Sequence, residues 1–251
     1  MTNADEEFID KMTDIVQRHL RVSYAMPIED AHIAFEQVPS DFLNDDYCTV
    51  WREYNAALFE CVRLLVRYEK ALKAWEELCR DLEEDVRLTC LADYAYPTFR
   101  VACDIPLTFK EQLAKGVVKL EHLARGDRSL IEMDADERRA GYYYKEVDRL
   151  ESEDSGLSQI RSCLTTDLYE SDEAQHLQGM HGKLFHDASA TLMSGKTTIA
   201  SFSRGMYATV VEGPIDLKAE LGVLDCHRAR IQRGYRLFND RAHALFDSLP
   251  R

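Results

Sequence analysis

Trp51, Tyr54, Leu58, Cys61, Leu65, Tyr68, Leu72, Trp75, Cys79 and Leu82 follow one another at alternating spacings of three and four. That is an a/d heptad seam held for roughly five heptads, with no Pro or Gly inside it. The spacing predicts one continuous helix over 51–86, about 54 Å long at about 1.5 Å per residue. An ordinary globular helix has only about 11–12 residues. Such a seam serves as a core or as a dimer interface, and its length predicts an arm of an elongated coiled coil.

The rest of the chain reads as helix too. Phe8, Met12, Ile15, Val16 and Leu20 form an apolar stripe in an N-terminal amphipathic segment, 1–26. Its polar side mixes Asp5, Glu6, Glu7, Asp10 and Asp14 with Lys11, Arg18 and Arg21, and the acidic first turns predict a core-packing helix. Pro27 and Pro39 bracket a connector in which Ile28, Ile33, Phe35 and Val38 are expected to pack. The first arm helix region spans 28–95, and Tyr96-Pro97 and Ile105-Pro106 mark interruptions or kinks. A second long helix is predicted over 107–150, with Leu113, Val117, Leu120, Leu130, Met133, Tyr144 and Val147 at helical spacing. Glu151 to Gly156 reads as the loop of a helical hairpin. A third helix is predicted over 172–249, running through Leu177, Met180, Leu184, Ala188 and Leu192 to a bend at Gly213-Pro214. Beyond the bend Leu217, Leu221, Leu224, Arg228, Ile231, Tyr235, Phe238, Ala242 and Leu245 form a second seam that only Arg228 spoils, and no stretch alternates as a strand would. The expected class is all-α: three long, kinked, antiparallel helices in one domain over 1–251.

Charge narrows the partners. The formal net charge of −14 argues against nucleic acid, which needs a Lys/Arg excess. Seven cysteines lie at positions without metal-ligand spacing, which predicts a reducing compartment. No apolar run approaches the roughly 20 residues of a membrane span, and no signal segment is read. The expected location is the cytoplasm, peripheral at membranes.

Catalytic motifs are weak. Glu29-x-x-His32 and Glu173-x-x-His176 match half of a di-iron helical motif, whose other carboxylates are not evident. Gly195-Lys196-Thr197-Thr198 ends like a phosphate loop, but Ala190 stands where that loop needs Gly. Arg236 with His243 has the residue types of a helical RNase, and His181, His186 and Asp187 those of a metal hydrolase, without supporting spacing. No enzyme, metal or other cofactor is expected.

Basic residues carry the remaining signal. Arg63, Arg67 and Lys70 lie at i, i+4 and i+7, off the seam. Lys115, Lys119, Arg125, Arg128, Arg138, Arg139 and Lys145 dot the second long helix. They form either a solvated face with intrahelical pairs such as Glu60–Arg63 and Glu121–Arg125, or a positive strip able to lie on anionic lipid.

Ile28-Glu-Asp-Ala-His-Ile-Ala-Phe35-Glu resembles the short segment before the first long helix of BAR domains of the amphiphysin/Rvs class. Arg125-Gly-Asp-Arg-Ser-Leu-Ile-Glu-Met-Asp134 resembles their second helix. Residues 173–185 and 197–211 resemble the start and the returning part of the third. The resemblance covers roughly 5–247. It implies a curved dimer, with itself or a related BAR chain, whose concave basic face binds anionic membrane in endocytosis or trafficking. Endocytic or cytoskeletal proteins are possible further partners. Arg125 and Arg128 match basic positions of that face, and Ser129 replaces one. A scaffold of the same shape that binds protein rather than lipid is the alternative, and a helical metal-dependent or RNase-like enzyme a further one.

Overall fold

The computed structural model describes residues 3–25, 34–40, 45–132, 141–182, 198–203, 206–211 and 216–249. Helix α1 spans Asn3–Ala25 and α2 Asp45–Cys79. Helix α3, Glu84–Cys90, continues through a π-helical turn, Leu91–Ala95, into α4, Tyr96–Ala124. Short α5, Ser129–Glu132, precedes α6, Tyr142–Glu153, and α7, Ser158–Ser162, runs into a second π-helical stretch, Cys163–Glu170. Helix α8 spans Asp172–Gly182, strands β1 and β2 span Thr198–Ser203 and Met206–Val211, and α9 spans Leu217–Ser248. Apart from this hairpin, the segment 34–40 and short links between helices, the described chain is helical.

The seam lies in α2, which ends seven residues earlier than its period predicts. Carboxylates explain the stop: Glu83 and Glu84 would sit unfavourably within a continuing helix whose end already carries Glu76 and Glu77. A restart at Glu84 puts them instead at a helix N-terminus, where negative charge is favoured. Leu82 falls in the intervening turn, half-buried.

Proline does not interrupt α4 as expected. The N–H of Tyr96 donates to the Leu91 carbonyl in a π turn, and Pro97 follows this wider turn directly, within a helical run that continues past it. Pro106 stays inside the helix.

The predicted helix over 107–150 is instead divided. Gly126 adopts φ +77°, the Asp127 N–H donates to the His122 carbonyl and the Gly126 N–H to that of Leu123. This is a Schellman end with glycine in the left-handed position. Asp127 Oδ1 then accepts from the Ser129 N–H at 2.9 Å, starting α5. The hairpin loop stands where expected, with Asp154 Oδ1 accepting from the Gly156 N–H at 2.8 Å.

A third helix over 172–249 is also corrected. α8 begins at Asp172 as predicted, but β1 and β2 pair antiparallel, Ile199 opposite Val210 and Phe202 opposite Tyr207. Thr198, Ile199, Thr209, Val210 and Val211 are β-branched, which suits extended backbone. The resemblance drawn over 197–211 therefore falls largely on strand. Met133, Ile28, Ile33, Leu184, Ala188 and Leu192 lie outside the described residues. Helix α9 opens on Asp216, whose Oδ1 accepts from the N–H groups of Lys218 and Ala219.

The chain forms two compact units. One comprises Met1–Ala31, Leu65–Asp104 and His176–Asp225; the other His32–Leu64, Ile105–Gln175 and Cys226–Arg251. In the first, Trp75 is buried, stacked against His19 at 3.9 Å and Tyr94 at 5.4 Å, and Met12, Ile15, Leu72, Phe99 and Leu177 are buried with it. In the second, Trp51 is buried and its indole N–H donates to Asn239 Oδ1 at 2.8 Å. Gly116 brings α4 close to α2 and α9: a Cβ there would lie 2.9 Å from Phe238 and from Tyr54. Trp51, Leu58, Leu65 and Leu72 are wholly buried within a single copy of the chain. The seam is therefore core, needing no partner to cover it. Tyr54, Cys61 and Cys79 are buried along it as well, and Tyr68 is half-buried.

Candidate functional site

The expected cation strip is largely partnered from within. Arg63 pairs with Glu60 at 2.7 Å, one turn back on α2. Lys115 pairs with Glu111 at 2.6 Å and sits 5.8 Å from the Tyr143 ring. Arg128 reaches Asp46 at 2.6 Å. Arg125 lies between Glu153 at 2.5 Å and Glu121 at 3.8 Å, so both predicted intrahelical pairs form. Lys119 caps the Tyr54 ring at 5.2 Å. Arg67 and Lys145 are exposed and Lys70 half-buried, none of them in an ion pair among the described residues. Arg138 and Arg139 lie outside those residues. A guanidinium already facing a carboxylate presents little net charge to a phosphate headgroup, and each exposed pair contributes only about 0–1 kcal/mol.

Sequence reading missed a charge cluster, because it joins Arg241 of α9, its side chain 15% exposed, to the buried Glu121 of α4. Arg241 Nε donates to Glu121 Oε1 at 2.6 Å, and its terminal nitrogen reaches Asp154. Glu121 is 1% exposed, so this pair is shielded from water. The cluster continues outward: Glu153 also meets Arg149, Arg149 meets Glu146 at 2.6 Å, and His122 bridges Glu146 and Asp127, each at 2.8 Å. Hydrogen bonds from His122 and Ser129 hold the Asp127 carboxyl down at about 2. Asp167 pairs with Arg233 at 3.0 Å and Glu173 with Arg230 at 2.8 Å. Glu153, Asp154, Asp167 and Glu173 thus have arginine partners: Arg125 just past α4, Arg149 on α6, and Arg241, Arg233 and Arg230 on α9. Their signal in the sequence was the run of Arg230, Arg233 and Arg241 off the α9 seam.

A second polar group ties the segment at 34–40 to α2 and α9. The Tyr235 hydroxyl donates to Asn55 Oδ1 at 2.8 Å and accepts from the Glu36 N–H at 3.1 Å. Asn55 Nδ2 donates to the Glu36 carbonyl at 2.9 Å. His243 Nε2 meets Glu36 Oε1 at 2.9 Å, with its ring edge-on to Trp51 at 4.5 Å. Phe35 is half-exposed but rests edge-on against Phe59 at 5.2 Å. The His243 of the suggested RNase pair is thus a tether, while Arg236 is exposed.

The di-iron half-motifs do not assemble. Glu173 is taken by Arg230, and His176 Nε2 meets Glu220 at 2.8 Å. Glu29, His32, His186 and Asp187 lie outside the described residues, as does the side chain of His181. Among the described residues no group of three or more His, Cys, Asp or Glu is placed to hold a metal ion. All seven cysteines are free thiols; Cys79 donates to Cys90, which raises the first thiol and lowers the second.

Helix α1 divides the expected apolar stripe in two. Met12, Ile15 and His19 are buried, whereas Phe8, Ile9 and Leu20 are 42%, 50% and 52% exposed, and Val16 is half-buried. Two adjacent rows run along this helix, and only one is used by the core. Among the described residues no helix is long and apolar enough to cross a membrane. No family model matches this chain, and no curated protein and no solved structure matches it.

Proposed function

We propose that this chain is a helical scaffold that works by docking protein partners on its helix faces. The observation that carries this reading is a contrast between charge and apolar surface. Arg63, Lys115, Arg125 and Arg128 face carboxylates of the chain itself, while α1 turns Phe8, Ile9 and Leu20 outward. Ile9 and Leu20 share one face, with Phe8 exposed at the end of the neighbouring row, and exposed apolar side chains along a helix are a usual mark of protein–protein docking. The net charge of −14 further opposes anionic lipid.

A second reading is the BAR-type one, an elongated dimer of three-helix arms on curved anionic membrane. The great length of α2, α4 and α9 supports it, as do Arg67, Lys70 and Lys145, which lack an ion pair among the described residues. Co-sedimentation at low salt separates the two, using vesicles of phosphatidylcholine alone and with phosphatidylserine and phosphoinositide. The scaffold reading expects the chain in the supernatant throughout. Pelleting with anionic vesicles that Arg67→Glu with Lys70→Glu abolishes would put the membrane reading in its place.

A further inference from the structure

The outer row of α1 has the geometry of a self-pairing seam. Ile9, Thr13, Val16 and Leu20 are spaced four, three and four, so they fall within a narrow stripe on a 3.6-residue helix. The row beside it, Met12, Ile15 and His19, is already covered by the chain's own core. Thr13 is the polar member, and its hydroxyl donates to the Ile9 carbonyl at 2.8 Å. That bond satisfies the hydroxyl within its own helix, leaving the methyl free to pack without an unmet hydrogen bond.

Charge along the helix selects the occupant. Asp5, Glu6, Glu7, Asp10 and Asp14 occupy the first half, while Arg18 and Arg21 fall in the second. Lys11, the basic residue of the first half, is turned to Glu83 of its own chain at 3.0 Å. Two such helices laid parallel would set acidic half against acidic half. Laid antiparallel about a two-fold axis, Ile9 of one faces Leu20 of the other, and Thr13 faces Val16. Arg21 then comes opposite Glu6 and Asp10. The same patch serves both copies, as an isologous contact requires. The acidic first half equally disfavours an anionic membrane as the occupant.

We propose that α1 docks against α1 of a second copy of this chain, antiparallel, through Ile9, Thr13, Val16 and Leu20. The proposal rests on the scaffold reading above and names one partner for it. Each substitution in such a contact acts twice, once per copy.

Light scattering of the full chain over a concentration series is the test. Wild type is expected in a monomer–dimer equilibrium. Leu20→Asp is expected to raise the dissociation constant at least about 100-fold with an unchanged helical circular dichroism spectrum. Arg21→Glu is expected to weaken pairing about 3-fold to 10-fold, and adding Asp10→Lys to restore it. That restoration separates a direct contact from a merely structural effect. A wild type monomeric at every concentration, or a dimer that Leu20→Asp leaves intact, overturns the α1 pairing. Failure of the scaffold reading shows separately, as pelleting with anionic vesicles.

Discussion

Two histidines are buried where protonation is costly. His19 stacks on Trp75 with Nε2 at 2.9 Å from the Ala71 carbonyl, and His227, 1% exposed, has no well-formed hydrogen bond from either ring nitrogen among the described residues, with the Glu173 backbone beside it. Burial lowers both imidazoles below their ordinary 6.5. The unfolded chain therefore binds these protons more readily than the folded one. The stability they support is complete above about pH 6.5 and is lost as pH falls below it. Urea midpoints are expected to drop between pH 7.5 and 5.5, above the range where ordinary carboxylates titrate. His227→Leu is expected to shrink that drop and to cost about 1 kcal/mol or less at pH 7.5, because at most one poorly formed hydrogen bond is given up. A pH-independent midpoint in wild type would rule out this role. Arg241 presents the opposite case. Arg241→Met leaves the buried Glu121, among the described residues, with the distant Arg125 alone and is expected to cost about 3–5 kcal/mol in urea unfolding. Arg63→Ala, at an exposed pair, is expected to leave the midpoint unmoved. In the sequence Arg241 and Arg63 look alike, since both are arginines off an apolar seam. Which one is buried depends on α4 and the 154–157 loop closing over it, a long-range fact that helical periodicity does not carry.

At the scale of elements, periodicity located the helices and local chemistry placed their ends. The seam of α2 and the seam of α9 from Leu217 through Ala242 are legible as written, because burying one face imposes the period. The stop at Gly126 was legible in kind, since a glycine followed by Asp is a helix end and a helix start in three residues. A regular apolar spacing through Leu120 and Leu130 hides it. The hairpin of β1 and β2 is too short for alternation to outweigh the helical stretches around it. Glycines within α9 show how context then decides. A Cβ at Gly234 would lie 2.8 Å from Phe109 Cε1 and 3.3 Å from Cys163 Sγ, whereas at Gly222 it meets nothing within 4 Å. Gly234→Ala is expected to destabilise by about 1–3 kcal/mol despite alanine's better helix propensity. Gly222→Ala is expected to stabilise by about 0.5–1 kcal/mol. Thermal melts of the two variants check both signs, and equal shifts would contradict the close packing at Gly234.

At the scale of the whole molecule, each unit is assembled from three separate stretches of chain, and neither is a contiguous segment. The seam of α2 passes through the division without a break, and α4 and α9 are likewise unbroken across it. A reading of the sequence alone sees this continuity as one domain, because the divisions at 64/65 and 225/226 carry no proline or polar linker and Pro106, beside the one at 104/105, stays within α4. Continuity has an energetic consequence. Helix formation is cooperative, so unfolding one end of a long helix removes a template from the other, and here three helices are affected together. The two tryptophans report the units one each: Trp51 among Asn239, His243 and Phe246, and Trp75 between His19 and Tyr94. In Trp75→Phe the fluorescence follows Trp51 alone, and in Trp51→Phe it follows Trp75 alone. Within each variant the urea transition by fluorescence is expected to coincide with that by far-ultraviolet circular dichroism, as a two-state unit requires. Comparing probes within one variant removes the cost of the substitution itself. A Trp75 transition that clearly precedes the loss of helix would show that the unit holding α1 unfolds on its own. The continuity of α2, α4 and α9 would then be insufficient to couple the two.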